Sequence, residues 1–178
     1  MRPKAFPSRP LLASLLLPLA ASGCVVVTDN TLAADGRASR TIVIPAGMDR
    51  AYEDYHYAPA VRVGDTVIVS GIPAGGEGSY EEQIRRMFER AKKTLESSGA
   101  KLSDVVEINS FHAQPRDSAA FNAEFERFLK IHKEYFPDGY PAWTAVGTTA
   151  LLAPGAVVEM RLVAVIGAGR SLKVKRPD

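Results

Sequence analysis

The sequence predicts an α+β domain, a sheet with two amphipathic helices packed on one face. Three observations predict it. Apolar residues recur at helical spacing in two separate stretches, β-branched residues run in short alternating segments around them, and the elements follow in the order strand, helix, strand, helix, strand. The 178 residues suffice for one domain with a core of its own. A hydrophobic content of 46% excludes a disordered chain, and a single cysteine excludes a disulfide scaffold or a thiolate zinc site. With 22 Lys and Arg against 20 Asp and Glu there is no electrostatic ground for a nucleic-acid partner.

The N-terminus is read apart from the fold. Three cations (Arg2, Lys4, Arg9) and no acid precede residues 11–21, LLASLLLPLAA. Eleven residues are too few to span a bilayer, which takes about 20, and Pro18 interrupts them. This is the pattern of a secretory signal, predicted over residues 1–23. Small residues, Ala21, Ser22 and Gly23, lead directly to Cys24. The run resembles the lipobox of bacterial lipoproteins, in which the cysteine becomes the acylated N-terminus; the other reading is a plain signal with an incidental cysteine. The resemblance implies a domain held in the periplasm by lipid on Cys24. Val25 at the sorting position points to the outer membrane before the inner. Residues 24–40 show no sustained period and read as a tether. Without the signal, 19 basic residues face 20 acidic ones.

The predicted domain spans residues 41–168, followed by a basic tail, 169–178. Residues 41–44 (TIVI) are a strand stopped by Pro45. Residues 61–63 and 66–70 flank Gly64-Asp65, a hairpin turn. Residues 72–78 (IPAGGEG) read as a loop; they lack the lysine and spacing of a P-loop. Ile84, Met87, Phe88, Ala91 and Leu95 then form one helical stripe, capped by Ser79 with Glu82 three residues on, and ended at Ser98-Gly99. Residues 105–111 alternate as a strand. Phe121, Phe125, Phe128, Leu129, His132 and Phe136 form the second stripe, broken by Pro137. Residues 143–149 and 156–166 are the last two strands.

Tyr57, Ser70-Gly71, Val105-Val106, Asn122, Phe136-Pro137, Pro141-Ala142 and the closing segment 157–164 stand in an order and spacing that resembles the RidA family, also called the YjgF or L-PSP endoribonuclease family. The similarity covers roughly residues 41–167. It implies a chorismate-mutase-like mixed sheet, a homotrimer with ligand clefts between subunits, and hydrolysis of imines or enamines such as 2-aminoacrylate to a keto acid and ammonia. It implies no metal and no organic cofactor. An RNA-binding role is not supported by any basic stripe with interleaved aromatics.

The resemblance places the water-assisting glutamate at Glu159, and substrate contacts at Tyr57, Ser70, Gly71, Asn122 and Ala145, the last standing where the family has a cysteine. A carboxylate in a subunit cleft suits proton shuttling near neutrality. Tyr57 and Asn122 also read as packing and capping groups, and Ser70-Gly71 as a turn. The departure is Trp143, where the family carries a substrate-gripping arginine. An arginine fork holds a carboxylate by two charge-assisted hydrogen bonds; an indole has one N–H and an aromatic face. Trp143 either lines the cleft, favouring a neutral, cationic or stacked ligand, or anchors the subunit interface. Arg161 is a replacement cation or a structural ion pair. His112 and Arg116 border the cleft or are solvated, and His56 has no partner for acid–base work. The expected partners are a small-molecule ligand, further copies of the chain, and a membrane through the N-terminal lipid alone.

Overall fold

The structure is a computed structural model and describes residues 39–177. The predicted signal, Cys24 and all but the last two residues of the tether lie outside the described residues. The described residues form six strands: β1 Arg40–Val43, β2 Ala60–Val63, β3 Thr66–Ala74, β4 Val105–Ala113, β5 Ala142–Thr148 and β6 Val158–Val165. Three helices accompany them: α1 Asp49–Glu53, α2 Tyr80–Ser97 and α3 Ser118–Tyr135. One mixed sheet runs β1-β2-β3-β6-β4-β5. Only β4 and β5 are parallel, because α3 carries the chain back across the sheet between them.

Helix α2 forms where its stripe and cap require. The Ser79 side chain accepts the Glu82 amide while the Glu82 carboxylate accepts the Ser79 amide at 2.7 Å, so two of the unpaired first-turn donors are satisfied. Ile84, Met87, Phe88, Ala91 and Leu95 are fully buried. Taking each large side chain among them out of water contributes about 1.5–3 kcal/mol. Gly99 stops the helix at φ +85°, a conformation other residues adopt only with strain. Helix α3 is capped by Asp117, which accepts the Ala120 amide at 2.7 Å.

Both long helices cover the same sheet face. Along β4 and β6, Ile108, Ser110, His112, Val158, Met160, Leu162 and Ala164 point under the helices and are buried. The alternate residues Glu107, Asn109, Phe111, Glu159, Arg161 and Val163 stand half-buried on the opposite, uncovered face.

Four details differ from the sequence reading. The first strand begins at Arg40, assigned there to the tether. Strand β3 continues through Ile72 to Ala74, because a bulge at Ser70-Gly71 keeps the following residues paired with β6. Helix α1 is too short to give a periodic signal. The basic tail is docked at its start: the Gly169 amide bonds Asp104 at 3.1 Å, and Leu172 packs against Gly139.

Candidate functional site

The bulge in β3 builds one half of the site. Val69 pairs with Leu162 and Ile72 with Met160, so two residues, Ser70 and Gly71, oppose Arg161 alone. Ser70 is tied back to the preceding loop by its amide, to the Pro59 carbonyl at 3.1 Å, and by its hydroxyl, to the Ala58 carbonyl at 2.7 Å. That loop delivers Tyr57. Its amide bonds the Ala51 carbonyl of α1 at 3.0 Å, and its phenol donates to the Gly71 carbonyl.

Glu159 stands opposite Pro73 on β3 and Phe111 on β4. Its carboxylate occupies the space that a β-carbon on residue 71 would fill, so glycine is required there for close approach. Tyr57 senses the arrangement. Burial, then the Glu159 charge, raise its phenol above the usual tyrosine range, against a smaller opposing effect of Ser70. The phenol therefore stays a neutral donor at physiological pH. Tyr57, Ser70, Gly71 and Glu159, far apart in sequence, form one cluster at the uncovered face.

The other three predicted residues lie elsewhere in the chain. Trp143 is in register with Ile108 and Ala145 with Ser110, so both side chains point toward the helix side. Asn122 is exposed on α3. Trp143 and Glu159 thus occupy opposite faces of one subunit's sheet. The Trp143 indole is held within its own subunit. It packs on its own helix α3, with ring centroids 4.4 Å from His132, 4.9 Å from Phe125 and 5.5 Å from Phe128, and donates its N–H to the Ser110 hydroxyl at 3.0 Å.

Two further readings resolve. Arg161 lies 3.4 Å from Glu107, which also accepts the Asn109 amide, and serves as an ion pair on the sheet. His112 is not solvated. It is fully buried between Ser110, 2.9 Å from Nε2, and Glu124, 2.8 Å from Nδ1. The sequence did carry the signal: Ser110 and His112 share the phase of Ile108 in an alternating strand, placing polar groups on the core side where they need partners. His56 is exposed at φ +51°, and no hydrogen bond ties its ring to the cluster.

The family model described as Endoribonuclease L-PSP matches residues 49–166. The chain belongs to the endoribonuclease L-PSP family. Among its L-PSP relatives is the RutC family protein YjgH of Escherichia coli, 33% identical over 131 residues that cover 70% of this chain and 94% of that one. The 2-iminobutanoate/2-iminopropanoate deaminase of Dermatophagoides farinae is 34% identical over 117 residues, 62% of this chain and 85% of that protein. Solved L-PSP-type structures agree. Protein YJGH superposes with a TM-score of 0.61 at 33% identity, covering 71% of this chain and 96% of that one. Rv2704 from Mycobacterium tuberculosis, of the YjgF/YER057c/UK114 family, gives 0.61 at 28% identity over 72% and 100%. The expected chorismate-mutase-like α+β fold is the fold observed.

Proposed function

We propose that the chain is an envelope-bound member of its family that hydrolyses a small imine or enamine lacking the usual carboxylate, in a cleft formed between subunits. The observation that carries the proposal is the Glu159 carboxylate seated on Gly71 beside the neutral Tyr57 phenol. An imine carbon is already electrophilic, so the protein has only to orient a water and move its proton. Glu159 accepts that proton as the water oxygen bonds to carbon. Glu159 returns the proton to the imine nitrogen, giving a carbinolamine. A second proton then passes from the carbinolamine hydroxyl to nitrogen by way of the same carboxylate as the C–N bond breaks, so ammonia leaves and the oxygen closes the carbonyl. The deaminase relative is named for this chemistry.

The split of the site supports assembly. Asn122, Trp143 and Ala145 lie toward one edge of the subunit and Tyr57 and Glu159 on its uncovered face, so a complete cleft needs the edge of one copy against the face of another. That face is half-buried and carries Val63, Val106 and Val146, each more than a third exposed, on or beside its strands. A homotrimer of the family type satisfies both requirements. Lipid on Cys24, after removal of residues 1–23, would hold the assembly at the envelope, toward the outer membrane, with the domain in the periplasm.

Ammonia release from enzymatically generated imines tests the reading. Wild type should act on neutral imines, Glu159→Gln should lose about 10²–10⁴-fold, and Trp143→Arg should gain activity on 2-aminoacrylate. Absence of turnover on any imine by all three sinks it. A non-catalytic module holding a small ligand in the same cleft is the second reading, favoured by the absence of an arginine at residue 143. It predicts that Glu159→Gln changes affinity alone.

A further inference from the structure

With His112 as a neutral imidazole, hydrogen-bond accounting behind Trp143 closes in a single direction. The indole N–H can only donate, and it donates to Ser110 Oγ at 3.0 Å. The Ser110 hydroxyl hydrogen is then free for His112 Nε2, 2.9 Å away, which places the imidazole hydrogen on Nδ1, facing the Glu124 carboxylate at 2.8 Å. Tyr80 on α2 donates to the same carboxylate. Every donor from residue 143 inward points toward Glu124. The rings of Phe121, Phe125 and Phe128 lie 5.0, 6.0 and 5.3 Å from His112, and Ser110 and His112 have no exposed surface. In so dry a setting each bond is strong and an unpaired member costly.

We infer that His112 is a positioning residue for Trp143. Through Ser110 it holds the indole N–H inward, so that the half-exposed part of the ring offers the cleft a carbon wall with no donor. The group seated against residue 143 is then apolar, aromatic or cationic and not a carboxylate, because a carboxylate would meet neither a cation nor an N–H there. This rests on the intersubunit cleft proposed above. The serine, histidine and glutamate stand in the order of a hydrolase triad, but the serine is sealed from solvent and holds the indole instead.

Trp143 is the only tryptophan, so its fluorescence, excited where tyrosine does not absorb, reports the indole directly in the full chain. His112→Gln retains an acceptor for the Ser110 hydroxyl and should leave emission and acrylamide quenching as in wild type. His112→Leu and Ser110→Ala should red-shift emission and raise quenching at least about two-fold, with far-ultraviolet circular dichroism unchanged. Identical emission in all four proteins overturns the inference, as does covalent labelling of Ser110 by a fluorophosphonate. Ligand-observed NMR then compares benzamide with benzoate. Wild type should prefer benzamide by about ten-fold and lose that preference in Ser110→Ala; equal or tighter benzoate binding by wild type overturns the ligand class. None of these readouts needs turnover, so failure of the hydrolase reading shows separately, as no ammonia release with the fluorescence pattern intact.

Discussion

The carboxylate of Glu159 lies against the α-carbon of Gly71, in the volume a side chain at residue 71 would claim. Gly71 does not have a positive φ, so a Gly71→Ala change conflicts with the carboxylate and not with the backbone. The conflicting group is the movable end of a side chain. The substitution should therefore cost stability less than about 1 kcal/mol while displacing Glu159 enough to lower turnover about 10²-fold. Thermal unfolding and ammonia release, measured on the same preparation, check the pair of outcomes.

Tyr57 gives a pH prediction. Its phenol is raised above the ordinary value of 10.0 by burial and by Glu159. No loss of activity from tyrosine ionisation should occur below that pH, and a pH–rate profile carried into the alkaline range checks it. Tyr57→Phe leaves the Gly71 carbonyl without this donor and should cost about 1 kcal/mol in denaturant unfolding.

His132 gives the opposite limb. It is buried between the rings of Phe136 and Trp143, at 4.7 and 4.4 Å, with Nε2 lacking a partner. Burial lowers its pKa from 6.5 to about 4. Between those values the unfolded chain binds a proton that the folded chain does not, so stability rises with pH across the window. It is complete above about 6.5 and falls by about 3 kcal/mol as pH drops toward 4. Urea unfolding at stepped pH should show this slope, and His132→Leu should flatten it.

The cap of α2 is a fourth point of leverage. Ser79→Ala removes an acceptor for the Glu82 amide and should cost about 1 kcal/mol, with Ser79→Asp restoring most of it. The difference in urea midpoint at constant slope checks it.

Most of the fold was legible in the sequence, because short-range signals carried it. The α2 stripe, its capping box, the Gly64-Asp65 turn and the Pro137 break each act within a few residues. Part of the site was legible too. Of the seven residues to which the family resemblance points, Tyr57, Ser70, Gly71 and Glu159 meet in space. Helix α1 left no signal, since five residues make barely one turn. The bulge left none either: whether Ile72 continues a strand depends on its partner Met160, nearly ninety positions away. The burial of His112 is hard to see in sequence, because a strand end looks exposed until the helix that covers it is in place.

What the sequence determined by itself is the set of elements, the core stripes and the residue types available for chemistry, since periodicity and caps are local. Only the tertiary structure decided which of those residues share a face. Alternation along β4, β5 and β6 sends Glu159 to the uncovered side and Trp143 under α3, and that parity is fixed by strand register, which long-range pairing sets. It likewise decided that the indole N–H is spoken for by Ser110, a bond between residues on different strands that no local pattern specifies.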